Sequence, residues 1–103
     1  MSGSPVLARL GELGVIPVVV IDAPSRAAAL GSALLLGGLP CAEVTLRTDT
    51  ALESLRALAE NPDLLVGAGT VLRPAQVEAA LEAGARYIVS PGFSASVVRE
   101  CQR

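Results

Sequence analysis

The chain has 103 residues, of which 51% are hydrophobic and 17% charged, and its net charge is -2. This composition indicates one globular domain, and the lack of a basic run, with only Tyr87 and Phe93 as aromatic residues, argues against nucleic acid as a partner. No apolar run is long enough to cross a membrane and no secretory signal is visible, so we expect a cytoplasmic protein with no membrane partner.

The first half of the chain predicts two strand–helix units. A short helix over residues 4–13 leads into a buried strand over residues 15–21. Ala23-Pro24-Ser25 opens a helix because proline suits the first helical turn, and Gly37-Gly38 ends it. Asp22, between strand and helix, fits a helix N-cap or a site residue equally well.

A second strand is predicted over residues 41–46. Thr48 or Asp49 caps the following helix, which ends at Asn61-Pro62 because the residue before a proline disfavours helix. The leucines of this helix recur on one stripe, which we expect to face the core. They are Leu52, Leu55 and Leu58.

The second half repeats the pattern. A strand over residues 64–66 ends in the turn Gly67-Ala68-Gly69-Thr70, and a helix runs from Arg73-Pro74 to Gly84. A fourth strand over residues 86–89 follows, then the turn Ser90-Pro91-Gly92 and a helix over residues 94–101. Residues 64–66 and 86–89 are short, as buried parallel strands often are.

Repeated strand–helix units predict a parallel sheet with right-handed crossovers. Four such units are half of a TIM (β/α)8 barrel, which needs roughly 200 residues to close. Residues 1–103 are therefore expected to form a single, partial (βα)4 domain that corresponds to a barrel cut at its middle. A small flavodoxin-like sheet is the alternative fold. The strand order 1-2-3-4 distinguishes them, because the alternative reverses its order about strand one.

Polar residues occupy one face of the second predicted strand. Side chains alternate across a strand, so Glu43, Thr45 and Arg47 share the face opposite Ala42, Val44 and Leu46. A deep glutamate suits general acid–base chemistry, and an arginine at the rim suits a carboxylate or a phosphate. A buried Glu–Arg ion pair is the structural alternative.

Two further segments fall at predicted strand ends, where TIM barrels carry their sites. Gly67-Ala68-Gly69-Thr70 allows close backbone approach and supplies a hydroxyl, and Ser90-Pro91-Gly92 follows the fourth strand. Each alone is also a common turn sequence. Their occurrence at successive strand ends, beside Glu43, favours a site for a small polar ligand.

Cysteine and lysine usage limits the chemistry. Cys41 and Cys101 lack metal-ligand spacing and the chain has no histidine, so we expect two reduced, partly buried thiols, no metal and no cofactor. All eight basic residues are arginine. Without lysine, no side chain of these 103 residues can form a Schiff base.

Three motifs resemble the N-terminal half of the KDPG/KHG aldolases, the 2-keto-3-deoxy-6-phosphogluconate and 4-hydroxy-2-oxoglutarate aldolases. They are Glu43-Val44-Thr45-Leu46-Arg47-Thr48, Gly67-Ala68-Gly69-Thr70-Val71-Leu72 and Ser90-Pro91-Gly92, in matching order and spacing. The resemblance implies a trimeric TIM-barrel class I aldolase, a lyase of carbohydrate metabolism that releases pyruvate and an aldehyde from a 2-keto-4-hydroxy acid.

The resemblance also assigns roles to single residues. It implies proton transfer by Glu43, binding of the pyruvate carboxylate end by Arg47 and Thr70, and a backbone contact from Pro91. It places the family's Schiff-base lysine and its phosphate-binding turns beyond residue 103. We therefore expect little or no retro-aldol activity from the chain alone; the alternative function is a non-catalytic carboxylate-binding or scaffold half-barrel module.

The exposed edges of a half-barrel predict an assembly. Strands one and four are both apolar edges, and the inner face lacks the four strands that would cover it. We expect a homo-oligomer, most simply a two-fold dimer that rebuilds a barrel-like core.

Overall fold

Helices and strands alternate along the computed structural model, which describes residues 4–103. The α-helices are α1 (Pro5–Leu13), α2 (Ala27–Leu36), α3 (Ala51–Ala59), α4 (Pro74–Glu82) and α5 (Ala95–Cys101), and a 3-10 turn (Pro24–Arg26) precedes α2. The strands are β1 (Val18–Val19), β2 (Cys41–Thr45) and β3 (Leu65–Gly69). The α/β class and the repeated strand–helix units are as predicted.

The strands form one parallel sheet in the order β1-β2-β3. The predicted strand at residues 86–89 is reduced to a single parallel bridge between Ile88 and Ala68, supported by Val89 N donating to Ala68 O at 2.8 Å. This segment therefore lies beside β3, at the far side of the sheet from β1. The order is sequential without a reversal, which confirms the half-barrel and not the flavodoxin-like alternative.

Two strand boundaries differ from the prediction. β1 is two residues long rather than residues 15–21, because it pairs on one side only and Pro17 has no N–H to donate. β3 continues to Gly69, so the glycines expected in a turn lie within the strand. They pair in register with β2, Gly67 with Glu43 and Gly69 with Thr45.

The predicted cap of α3 is wrong. Thr50, not Thr48 or Asp49, precedes the helix, and no side chain caps it. The hydroxyl of Thr48 instead donates to Ile21 O at 3.2 Å, and that of Thr50 donates to Asp22 O at 3.4 Å. Both hydroxyls thus link the segment that precedes α3 to the segment that follows β1. The exposed Asp22 caps no helix, since Ala23 precedes the 3-10 turn.

The hydrophobic core lies between the sheet and the helices. Leu55 and Leu58 of α3 pack there with Val44 of β2 and Val66 of β3, all fully buried. Cys41 is buried, but Cys101 is exposed rather than partly buried, because it lies at the end of the last helix. None of the helices within residues 4–103 has the length and apolarity to span a membrane.

Candidate active site

Within residues 4–103, the polar face of β2 is opposite to the face that packs against the helices. Val18, Glu43 and Gly67 are register partners on the three strands and so point to one side of the sheet. Val44 and Val66 point to the other side, into the helix-packed core. In a complete barrel the side without helices is the interior.

Glu43 lies on this inner face and is only 9% exposed. Burial raises the pKa of its carboxyl, since taking the group out of water disfavours its charged form. No ion pair involves Glu43 or Arg47 within residues 4–103, and Arg47 is exposed. The buried Glu–Arg ion pair, the structural alternative that the sequence left open, is therefore not formed. The guanidinium of Arg47 is accessible beyond the end of the strand.

Thr45, the last residue of β2, lies on the same inner face as Glu43 and has a structural contact. Its hydroxyl donates to Val19 O at 3.4 Å and links β2 to β1. Thr45 is buried, so it does not extend toward the accessible end of the face. Arg47, which the sequence placed on this strand face, lies in the turn after β2 and not on the strand.

Thr70 and Pro91 lie at the same end of the sheet as Arg47. Leu46 N donates to Gly69 O at 2.9 Å, which places the residues after β2 beside the residues after β3. The hydroxyl of Ser90 donates to Val71 O at 2.7 Å and joins the turn of Pro91 to the same place. The carboxyl ends of parallel strands thus bring the three predicted segments together.

Thr70 adopts a strained backbone conformation. Its φ is 59°, the only positive φ at a non-glycine residue within residues 4–103. A β-branched residue in the left-handed region costs on the order of 1–3 kcal/mol, and such residues concentrate at functional sites. Thr70 as a whole is partly exposed.

Tyr87 also contributes to the inner face beside Glu43, and the sequence analysis did not identify it. Its ring lies over Gly67, and its hydroxyl donates to Ala42 O at 3.2 Å. Burial raises the pKa of the phenol, and the neighbouring Cys41 and Glu43 raise it further, so the hydroxyl stays neutral. The available signal was the position of Tyr87 in the predicted strand over residues 86–89, because alternation places Tyr87 on the face opposite the apolar Ile88.

The side chains that commonly bind metals do not cluster within residues 4–103. No group of three or more cysteine, aspartate or glutamate side chains converges there, and the chain has no histidine. What the arrangement can do is bind an anionic group at Arg47 and hold a proton at Glu43.

The buried carboxyl of Glu43 predicts a pH-dependent stability. Because its pKa is higher in the folded than in the unfolded state, the folded state loses stability as pH rises from the ordinary glutamate pKa through the raised one. We expect Glu43→Gln to increase the free energy of unfolding at pH 7 and to change it little at about pH 3, below the ordinary pKa. Urea unfolding at both pH values measures this difference.

Glu53 provides the control for this substitution. It is exposed on α3, so Glu53→Gln removes a carboxylate without relieving burial. An equal effect of both substitutions at pH 7 would show that the stability gain reflects net charge and not the burial of Glu43.

Comparison with known proteins matches the sequence and the fold of this chain to an enzyme family. The family model described as KDPG and KHG aldolase matches residues 6–103. A 2-dehydro-3-deoxy-phosphogluconate aldolase from Treponema pallidum is 45% identical over 93 residues, which are 89% of this chain and 44% of that protein. The chain therefore spans less than half the length of this relative.

Two solved structures show the same fold. The 2-keto-3-deoxy-6-phosphogluconate aldolase of Zymomonas mobilis, crystallised with 3-phosphoglycerate, has a TM-score of 0.88 at 39% identity and covers 95% of this chain and 47% of its own. KDPG aldolase from Legionella pneumophila has a TM-score of 0.80 at 43% identity over 85% of this chain and 43% of its own. In that crystal, pyruvate is captured at low pH as a covalent carbinolamine intermediate.

Proposed function

The chain belongs to the KDPG and KHG aldolase family, and we propose that residues 1–103, as a single partial domain, form the carboxylate-binding and proton-transfer part of a class I aldolase site. The substrate class is a 2-keto-4-hydroxy acid, 2-keto-3-deoxy-6-phosphogluconate or 4-hydroxy-2-oxoglutarate, that is cleaved to pyruvate and an aldehyde. The complete reaction requires groups outside these residues.

One observation carries this proposal: a buried carboxyl on the inner face of β2 is followed by an accessible guanidinium two residues beyond the end of the strand. Glu43 is held away from water, whereas Arg47, four residues later, is exposed and has no ion-pair partner within residues 4–103. A structural ion pair would bring the two together. Their separation suits one group for a proton and the other for the carboxylate of a keto acid.

Glu43 is the proposed acid–base. Cleavage of a 2-keto-4-hydroxy acid breaks the bond between C3 and C4; a base takes the hydroxyl proton from C4 and an acid returns a proton to C3. A carboxyl whose pKa is raised by burial holds its proton closer to neutral pH than an exposed one, and can both accept and donate it.

Arg47, Thr70 and Pro91 are the proposed substrate-binding residues. The planar guanidinium of Arg47 offers two parallel donors to a carboxylate, and the hydroxyl of Thr70 offers one more. The strained backbone at Thr70 supports this role, since residues in such conformations concentrate at functional sites. The backbone of Pro91 adds a contact from the neighbouring turn.

The amine for covalent catalysis must come from elsewhere. A carbinolamine, as described for the Legionella pneumophila relative, forms when an amine adds to the keto carbon of pyruvate. This chain has no lysine. Its own residues are therefore proposed to bind and orient the keto acid and to move protons, without forming the covalent bond.

Titration with pyruvate, followed by amide NMR, tests the proposed function. We expect weak, saturable shifts that are confined to the residues around Glu43, Arg47, Thr70 and Pro91. Propionate, which has the carboxylate but not the keto group, and propionamide, which lacks the charge, are the ligand controls. Shifts scattered over the helices, or equal shifts with propionamide, would contradict a carboxylate site on the inner face.

We also propose that a second copy of the chain covers the inner face, in a two-fold homodimer. Val18 is 61% exposed and Val20, two residues further along, is 59% exposed, although β1 lies beside the hydrophobic core. Within residues 4–103, β1 pairs only with β2, so its other edge is unpaired. Exposed apolar side chains next to an unpaired edge favour association.

Sedimentation velocity at micromolar concentration tests the dimer. We expect the wild type to sediment as a dimer and Val20→Asp to sediment as a monomer. Leu36→Asp is the control, because Leu36 is 90% exposed at the end of α2, on the helix side. A stable monomeric wild type, or a dimer that Val20→Asp leaves intact, would contradict this assembly.

A further inference from the structure

The inner face of β3 has no side chain at two successive inward positions, Gly67 and Gly69. Both places are filled from neighbouring segments. The ring of Tyr87 lies over Gly67, and the carboxyl of Glu43 lies over Gly69. The two glycines therefore provide adjacent places for an aromatic ring and a carboxyl group.

The side chain of Glu43 leans along the sheet to reach its place. Its register partner is Gly67, but its carboxyl lies one inward position further toward the carboxyl end of β3, over Gly69. A methyl group at Gly69 would overlap Oε2 of Glu43 and would lie 2.8 Å from Cδ and 3.0 Å from Cγ. Only glycine at this position leaves room for the observed position of the carboxyl.

Tyr87 blocks the alternative position of the Glu43 side chain, the space over Gly67. Its ring occupies the space over Gly67, directly across from the backbone of Glu43, and its hydroxyl is fixed to β2 through Ala42 O at 3.2 Å. The glutamate side chain cannot turn back over Gly67 while the ring is there. The ring also removes water from one side of the carboxyl.

We propose that Gly69 and Tyr87 are positioning residues that act through Glu43: Gly69 provides the space for its carboxyl and Tyr87 excludes the alternative side-chain position. Together they hold the carboxyl at the end of the inner face where Arg47 and Thr70 lie. The functional meaning of this arrangement rests on the proposed acid–base role of Glu43, but the arrangement itself is a property of the folded chain.

A double-mutant cycle tests the part played by Gly69. We expect Gly69→Ala to lower the Tm of the wild type, because the new methyl group meets the glutamate side chain. In the Glu43→Ala background, where that side chain is gone, Gly69→Ala should lower the Tm much less. Gly92→Ala, at a position with open space around it, is the control and should behave alike in both backgrounds.

An equal loss of Tm on Gly69→Ala in both backgrounds would overturn the proposal, since the obstacle would then not be Glu43. If Gly69→Ala alone fails to fold, the Glu43→Ala/Gly69→Ala double variant still decides. Its folding supports the proposal, and its failure to fold contradicts it.

The titration of Glu43, followed by carbon-13 NMR of its carboxyl, tests the part played by Tyr87. We expect Tyr87→Leu to lower the titration midpoint toward that of an ordinary glutamate, because water regains access to the carboxyl. Cys41, the other titratable side chain on this face of β2, and Arg47, two residues beyond β2, are unchanged in this variant. An unchanged midpoint in folded Tyr87→Leu would overturn the role of Tyr87.

Both readouts are independent of ligand. If pyruvate does not bind, the proposed function fails, while the cycle and the titration still report whether Gly69 and Tyr87 hold Glu43 in place. The two proposals can therefore fail separately.

Discussion

Replacing Arg47 with alanine should weaken pyruvate binding at least about tenfold, which corresponds to ~1.4 kcal/mol. The guanidinium of Arg47 is the charged donor at the carboxyl end of β2 that has no ion-pair partner within residues 4–103. A charge-assisted pair with a carboxylate contributes more than a neutral hydrogen bond, so its loss should exceed that of any other single contact. Isothermal titration calorimetry with pyruvate at low ionic strength measures the change.

Arg56→Ala is the matched control for this prediction. Arg56 is exposed on α3, on the helix side of the sheet, so its removal changes the net charge by the same amount without altering the inner face. We expect Arg56→Ala to bind pyruvate within about twofold of the wild type. An equal loss in both variants would show that binding depends on net charge, and a normal affinity in Arg47→Ala would exclude Arg47 as the carboxylate ligand.

Leu55→Ala should lower the free energy of unfolding by about 3 kcal/mol. Leu55 is fully buried between α3 and the sheet, and its truncation leaves a cavity in addition to the lost burial. A loss of this size is a large part of the total stability of a small domain. Chemical denaturation with urea, analysed with a common m-value, measures it.

Two further substitutions serve as controls for the stability loss expected of Leu55→Ala. Leu36→Ala removes the same atoms from a side chain that is 90% exposed, and should change stability by less than about 0.5 kcal/mol. Ser54→Ala should instead raise stability by about 1 kcal/mol, because the buried Oγ of Ser54 has no hydrogen-bond partner within residues 4–103. Equal losses in Leu55→Ala and Leu36→Ala would contradict the described core.

The second strand was well predicted because its information is local. Alternation of Glu43 and Thr45 with Val44 indicates both the strand and its two faces, and β2 extends over Cys41–Thr45 as expected within one residue. Arg47, which the same alternation placed on the polar face, lies in the turn after the strand. The repeated units likewise predicted a parallel sheet with sequential order, since right-handed crossovers leave few alternatives.

The third strand was misread because its information is not local. Gly67 and Gly69 are typical of a turn when they are read along the chain. In the fold they are strand residues that lack side chains because Tyr87 and Glu43, distant in sequence, fill their places. No local rule states that a glycine in a strand makes room for a neighbouring strand's carboxyl.

In the candidate site, too, local sequence information predicted some residues, whereas other features depend on tertiary packing. Residue type and position in a strand pointed to Glu43 and Arg47, and the ends of parallel strands pointed to Thr70 and Pro91. The separation of Glu43 from Arg47 and the role of Tyr87 depend on side-chain packing, which the sequence does not show. The left-handed backbone of Thr70 is also a result of the tertiary structure.

The central claim is that this chain recognises a keto acid on its inner face without bonding to it covalently. Carbon-13 NMR of pyruvate labelled at the keto carbon tests both parts in one titration. We predict saturable broadening or shift of the keto signal by the wild type, reduced in Arg47→Ala, with no new signal from a tetrahedral or imine carbon. A keto signal that the protein leaves unchanged at millimolar concentration, or a new signal from a covalent adduct, would contradict this account.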